Sequence, residues 1–284
     1  MSGKEPADQA ATAAQWSGAS DGWARWAARA GAYLVPATQK MLDLAGAVPG
    51  SRVLDIGCGS GEQTIIAARR VGETGHVLAI DIAAPMIAAT ERNVAAAGLG
   101  NVATRVCAAE ALAGNAGPFD AAIGRLVLML IPDPISAACA VFATLKPGGR
   151  FAAIVPGTAD KSPFSATALD ILARHGGKTL SVDRPGIHAL GDPAKLGAVL
   201  RAAGFTDVTV SSIPTIRRME SAAAATAMIR DGFAFYRALV ADQPQPVQDA
   251  AWAEVERALA RFEDADGLAA PGDVNLAVGR KPER

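Results

Sequence analysis

Residues 52–71 join a short apolar run to a glycine cluster and then to a helical pattern, and that unit restricts the chain to few folds. Val53, Leu54 and Ile56 lead into Gly57-Cys58-Gly59-Ser60-Gly61, and a helix-period stretch follows to about Val71. A continuous apolar run that ends in glycine reads as a strand buried on both faces, as in a parallel sheet covered by helices. The alternation repeats, with strands expected at 76–81, 102–107, 119–124 and 150–155 and helices near 84–98 and 134–145. Five such units specify an α/β fold with a doubly wound parallel sheet. A helix at 192–203 leads through Gly204 to a sixth strand at 208–213, and a seventh at 274–278 ends the series.

Around that core, 51–156 and 192–213, the spacing predicts a cover. Residues 1–20, rich in Ala, Ser and Gly, are expected to form a loose tail. Trp23, Trp26, Ala27, Ala30 and Leu34 recur at three- and four-residue steps and predict a helix, with a second at 36–47, so 21–50 form N-terminal cover helices. Two stretches exceed ordinary connections: 157–191, and 214–271 with helical patterns at 221–241 and 246–263. Insertions of that length in a compact domain are usually functional lids. Two amphipathic helices in the second also suit the competing reading of a homodimer interface. Residues 272–284 hold the last strand and a tail.

Half of the 284 residues are apolar and 19% are charged, enough to bury a core and to exclude general disorder. The longest near candidate for a membrane span is the six-residue stretch Leu126–Ile131, far short of a bilayer, so no integral membrane role is expected. With 27 Lys plus Arg against 28 Asp plus Glu, the chain lacks the positive field that nucleic acid or anionic lipid requires, which leaves a small molecule as the expected ligand. Cys58, Cys107 and Cys139 match no zinc spacing and leave one thiol unpaired in any disulfide scheme. Reduced thiols and an N-terminus without a signal-peptide pattern point to the cytoplasm.

In an open parallel sheet the ligand lies outside the carboxyl ends of the strands, where the first strand's loop opens. Glycines at 57, 59 and 61 admit backbone to a ligand without Cβ collisions, and the next helix presents free N–H groups to an anion. The dinucleotide fingerprint fails because Glu62 stands where its third glycine belongs, and no Gly-Lys-Ser/Thr follows, so a nicotinamide, a flavin or ATP is disfavoured. Asp55 ends the first strand. Asp81 ends the second, 20 residues after Gly61, where a carboxylate accepts both hydroxyls of a ribose; its alternative role is a helix cap.

Six ordered segments carry a resemblance: VLDIGCGSGEQT (53–64), VLAIDIAAPMI (77–87), CAAEAL (107–112), FDAAIGRLVLMLIPDP (119–134), LKPGGRFA (145–152) and LRAAGFTDV (200–208). Together they resemble the class I S-adenosylmethionine-dependent methyltransferases, especially the ubiquinone and menaquinone biosynthesis C-methyltransferase branch. The resemblance implies a Rossmann-like methyltransferase fold with a mostly parallel sheet. It implies S-adenosyl-L-methionine as cofactor and S-adenosyl-L-homocysteine as product. Asp55 and the loop residues Gly57, Cys58, Gly59 and Gly61 would hold the methionine part and Asp81 the ribose. Ile82 and Met86 would pack on the adenine, carbonyls near Gly57 and Gly124 would meet the amino group, and Ala109 with Glu110 would lie by the adenine edge. Ala108 stands where relatives often have an acidic residue, so the amide of Ala109 is left to read the adenine.

Displacement at a sulfonium needs positioning and exclusion of water, with no metal or covalent nucleophile. A phenol or enol acceptor gains from a base. Of three histidines, His76 begins a strand at the far end of the sheet and His175 lies on an insert helix. His188, just before the helix at 192, is the candidate base. Arg125, after the fourth strand, suits an acidic acceptor or the cofactor carboxylate, the alternative being an ion pair with Asp133 or Glu110. Tyr33 is a candidate for packing or catalysis. Phe164, Phe233, Phe235, Tyr236 and Trp252 in the inserts imply an apolar or aromatic acceptor if they face inward. The expected function is methyl transfer to carbon or oxygen of such a small acceptor; the alternatives are a cofactor-bound enzyme of cyclisation or decarboxylation and a noncatalytic binding protein.

Overall fold

The computed structural model describes residues 5–112, 116–181 and 184–283. Residues 1–4 of the expected tail, 182–183 of the first insert and 284 of the C-terminal tail lie outside the described residues.

The central sheet follows the order β3-β2-β1-β4-β5-β8-β6, with β1 Arg52–Ile56, β2 His76–Asp81, β3 Val102–Val106, β4 Phe119–Arg125, β5 Leu145–Pro156, β6 Thr206–Met219 and β8 Gly267–Arg280. A two-residue strand, β7 Glu263–Asp264, pairs with the start of β8. The first five strands run parallel and β8 is antiparallel to both β5 and β6. The chain order reverses at β1, which lies between β2 and β4 and pairs Ile56 with Ile80 on one side and Gly124 on the other. The glycine loop therefore opens at the switch point, as expected for a doubly wound sheet.

Alternation along the strands sorts the two faces. Leu54, Ile56, Leu78, Ile80 and Ala122 join a core with α6 Pro134–Thr144 and α8 Pro193–Ala202. Val53, Val77, Ala121 and Ile123 pack on α3 Val35–Ala45 and α4 Glu62–Val71 on the opposite face. α5 Ala84–Ala96 follows β2 and packs along β2 and β3.

The cover differs from expectation in three places. Glu5–Ser17 form a helix, α1, where a loose tail was expected, and its Trp16 meets Trp23 of α2 Ser20–Ala32 edge-on at 6.2 Å. Ala, Gln and Glu are good helix formers, so the composition that suggests a tail supports a helix once a partner is present. Residues 214–219 and 267–271, expected within the insert, belong to β6 and β8. Pro214 is tolerated there because β6 is the edge strand. The pattern at 221–241 is two helices, α9 Ala222–Gly232 and α10 Ala234–Val240, separated by an extended Phe233.

A third core, under the cover, joins Phe164, Leu169 and Leu172 of α7 Pro163–His175 to Met228, Tyr236 and the face Ala251, Trp252, Val255 and Leu259 of α11 Gln245–Leu259. The amphipathy of α9 and α11 is thus spent inside this chain, against α7 and the ends of β6 and β8. No helix of the described residues is long and apolar enough to cross a membrane. Cys58, Cys107 and Cys139 are free thiols.

Candidate active site

The loop after β1 is held from below and behind. Gly59 donates its N–H to Oδ2 of Asp81 at 2.9 Å, Thr90 donates to the Gly59 carbonyl at 2.8 Å, and Asn93 donates to the Ser60 carbonyl at 2.8 Å. Gly57 (φ +62°) and Gly59 (φ +57°) take left-handed conformations. A Cβ on Gly57 would lie 2.3 Å from Val127, and one on Gly59 would lie 3.1 Å from Nε1 of Trp23. Both positions therefore need glycine for conformation and for close approach.

Asp81 lines the cavity in front of this loop and also accepts the N–H of Ala83 at 3.0 Å, so it both caps and faces the ligand space. Burial pushes its carboxyl above the usual range, against the pull of the Ala83 and Gly59 amides. Cys58, Ile82, Met86, Ala109 and Glu110 line the same cavity. The Cys58 thiol is buried beside Thr90, and burial raises it well above an ordinary cysteine, so it serves by its small size.

Three expected contacts lie off the wall. Asp55 is wholly buried and accepts from Nε2 of Gln63 at 3.1 Å and from the Thr64 hydroxyl at 2.6 Å; it fastens the first turn of α4 under the loop instead of meeting a ligand. Burial raises its carboxyl to about 7, opposed by those two hydrogen bonds and by Arg125. A Cβ on Gly61 would meet Thr90 and one on Gly124 would meet Ile56 and Val127, so these glycines serve packing. A strand residue one step from the carboxyl end points into a sheet face, whereas the ligand lies beyond the strand ends.

Arg125 reaches the cavity from the end of β4 and is buried. It donates to the Thr38 hydroxyl at 3.2 Å, and its ionic neighbour is Glu62 at 3.9 Å in place of Asp133 or Glu110. Asp133 instead caps α6 through the N–H of Ser136. Burial depresses the Arg125 pKa, against the carboxylates of Glu62 and Asp55. The next residue, Leu126, holds φ +58°, a conformation uncommon for leucine, on the cavity wall.

Apolar side chains also line the cavity, among them Phe164, Phe233, Phe235, Met129 and Ile187. His188 does not line it. Its Nδ1 lies 2.7 Å from the Gly157 carbonyl and its Nε2 lies 3.1 Å from the hydroxyl of Ser165, which does line the cavity. The carbonyl only accepts, so Nδ1 carries a proton; neutral His188 then offers Nε2 as an acceptor for the one hydroxyl proton of Ser165, for which the Ser162 carbonyl at 3.1 Å competes. Burial lowers the His188 pKa, which favours that neutral form. His175 pairs with Glu254 at 2.8 Å, away from the cavity, and His76 stays at the start of β2. Tyr33 lines the wall and accepts a hydrogen bond from Arg217 at 2.7 Å.

A methyltransferase-domain profile matches residues 47–175, which run from the end of α3 through the glycine loop to α7. The chain is 33% identical over 189 residues to nocamycin O-methyltransferase of Saccharothrix syringae, covering 62% of this chain and 66% of that one. It is 37% identical over 110 residues to the ubiquinone/menaquinone biosynthesis C-methyltransferase UbiE of Vibrio cholerae, covering 38% of this chain and 42% of that one. The solved YcgJ protein of Bacillus subtilis superposes with a TM-score of 0.59 at 17% identity, over 88% of this chain and 99% of that one. Residues 47–175 are thus a match to a methyltransferase domain, and the chain is similar to O- and C-methyltransferases over part of its length. It spans less than two thirds of the length of either curated relative.

The cavity fits S-adenosylmethionine on chemical grounds. Buried Nε1 of Trp23 has no hydrogen-bond partner among the described residues and stands beside the glycine cradle on the cavity wall. A buried donor without a partner costs about 1 to 3 kcal/mol, a cost that a bound acceptor group relieves. Arg125 and Trp23 would meet the carboxylate end of the cofactor, Asp81 the ribose, and Ile82 with Met86 the adenine. Sequence reasoning placed Trp23 only on a helix face and missed Ser165 and Arg217. The last had a signal: Ile213, Thr215 and Arg217 share one side of β6, with Arg217 turned to the cavity and Ile216 to solvent at 52% exposure, an inversion of the usual pattern.

Proposed function

We propose that this chain transfers the methyl group of S-adenosylmethionine to a carbon or oxygen of a small, largely apolar or aromatic acceptor, as a cytoplasmic enzyme. One observation carries this: a single cavity is lined both by the braced glycine loop with Asp81 and by aromatic side chains of the cover. The names of the two curated relatives, an O- and a C-methyltransferase of small metabolites, support the same class of acceptor.

The cofactor supplies an electrophilic methyl on a sulfonium. The residues of the chain orient and dehydrate. Asp81 and the glycine loop hold the donor at the ends of β1 and β2, and α1, α2, α7 and the helices 222–259 form the cover that excludes water. Ser165 takes a proton from a hydroxyl acceptor while its own passes to Nε2 of His188, whose cation is held by the Gly157 carbonyl. The insert helices bury their apolar faces within the chain, so we read them as a cover and not as a twin interface.

Calorimetry with S-adenosylmethionine and S-adenosylhomocysteine tests the first half of the proposal. Neither binding below about 1 mM, roughly 4 kcal/mol, would end it. Mass spectrometry of the product formed with methyl-labelled cofactor tests the second half, since full turnover without label in the product would mean a bound but unconsumed cofactor.

A further inference from the structure

Arg217 is a cation on the cavity wall. It lines the cavity from β6, half-buried and near two aromatic rings: its guanidinium lies 4.1 Å from the Tyr33 ring centre and 4.9 Å from that of Phe164. Nη2 donates to the Tyr33 hydroxyl at 2.7 Å and Nη1 to the Ala30 carbonyl at 3.3 Å. The two rings and the two hydrogen bonds restrain the group, so the guanidinium is pre-organised. They leave its charge unmatched. Among the described residues no carboxylate lies within ion-pair distance of it, whereas Arg125 has Glu62. The two arginines of the cavity thus differ: one is neutralised beside the glycine loop, the other is a net cation among apolar side chains.

A half-buried cation without a counter-ion in such a wall is costly, and arginine's fork of five donors suits a carboxylate or another flat anionic oxygen. Two of those donors are used by Ala30 and Tyr33. We propose that Arg217 is the acceptor's anchor and that the acceptor is an apolar ring system bearing an acidic oxygen, a carboxylate or an acidic phenol or enol, bound as the anion against the guanidinium. This rests on the methyl-transfer reading and adds the charge of the acceptor to it. For transfer to oxygen the bond formed is O–CH3 and the bond broken is S–CH3, with the electron pair left on sulfur. Where the reacting oxygen is the anion itself, it and the sulfonium both become neutral and no base is needed; where the reacting oxygen is a separate hydroxyl of the same acceptor, its proton leaves through Ser165 to His188 and the anchored oxygen keeps its charge.

The test uses 1-naphthoate and its neutral methyl ester as probes of nearly equal shape. Each is titrated by calorimetry into the full chain saturated with S-adenosylhomocysteine. The wild-type protein is expected to bind the anion at least about tenfold more tightly than the ester, the Arg217→Gln protein to bind the two within about twofold of each other, and Arg217→Lys to keep part of the preference. Equal affinities in the wild type, no binding of either probe, or a preference that survives Arg217→Gln would overturn the assignment. Should Arg217→Gln fail to fold, a crystal structure of the wild type with 4-bromo-1-naphthoate decides: a carboxylate within about 3.5 Å of the guanidinium supports it, and one seated elsewhere overturns it. S-adenosylhomocysteine binding is read separately in the first titration. If it fails, the methyl-transfer reading falls, and the probe preference is then measured on the protein alone.

Discussion

The backbone N–H of Gly59 points at Oδ2 of Asp81 across 2.9 Å, so the carboxylate that ends β2 is also the brace of the loop that ends β1. Asp81 then has two tasks, fixing the loop and facing the ligand, and its loss is felt in both. Asp81→Ala should weaken S-adenosylhomocysteine binding by roughly a hundredfold or more, through lost charge-assisted hydrogen bonds of about 1.5 to 3 kcal/mol each. It should also lower stability by about 1 to 3 kcal/mol, because the amides of Gly59 and Ala83 lose their acceptor. Asp81→Asn keeps one of the two amide contacts and should fall between. Calorimetry and urea unfolding on the same preparations read the two effects, and an unchanged affinity in Asp81→Ala would place the ribose elsewhere.

What the sequence showed and what it hid follow from reach. The strand run Val53–Ile56 and its glycines are local signals, so β1, the loop and the switch point were legible, as was Asp81 at the end of the next strand. Which way Asp55 points was not legible, because a carboxylate beside a glycine loop does not reveal the direction of a strand side chain; Gln63 and Thr64, eight and nine residues on, hydrogen-bond it. His188 was chosen by residue type, yet its contact with the cavity runs through Ser165, 23 residues earlier. Arg217 meets Tyr33 across 184 residues, a pairing that no local pattern encodes.

Trp23 offers a measurement of what the cavity expects. Its buried indole N–H lacks a partner among the described residues and lies against Gly59. Trp23→Phe keeps most of the apolar ring and deletes the donor. It should leave the unfolding free energy within about 1 kcal/mol of the wild type and weaken S-adenosylhomocysteine binding by about five- to thirtyfold, the worth of one hydrogen bond to a charged group. Equal binding by the two proteins would mean that the bound cofactor gives the indole no acceptor.

Asp55 makes a prediction about pH. Burial lifts its carboxyl to about 7 in the folded protein, while in the unfolded chain it ionises near 3.8. Below 3.8 both states hold the proton and the group is neutral toward folding. As pH rises from there to 7, the unfolded state releases its proton first, so this contribution to stability is lost, up to about 4 kcal/mol, and levels out above. Asp55→Asn removes the titration. The stability of Asp55→Asn relative to the wild type, from urea unfolding between pH 4.5 and pH 8, should climb by a few kcal/mol across that range. A flat difference would mean that Asp55 is ionised in the folded protein throughout.

The Ser165–His188 pair predicts a pH signature that packing alone would not give. With Nδ1 held by Gly157 and Nε2 facing Ser165, His188 removes a proton through the serine only while it is neutral, and burial holds its pKa below the ordinary 6.5. In single-turnover measurements with a phenolic or enolic acceptor, His188→Ala should slow methyl transfer by at least about tenfold near pH 7, within the range of general-base effects. Ser165→Ala should do the same, and both should leave the dissociation constant of S-adenosylhomocysteine within about twofold. The deficit should shrink as pH approaches the pKa of the acceptor, since solvent then delivers the anion and the relay is bypassed. A merely structural histidine would leave a deficit that does not change with pH. A rate change below about threefold, less than about 1 kcal/mol, would instead show that Arg217 and positioning alone prepare the acceptor.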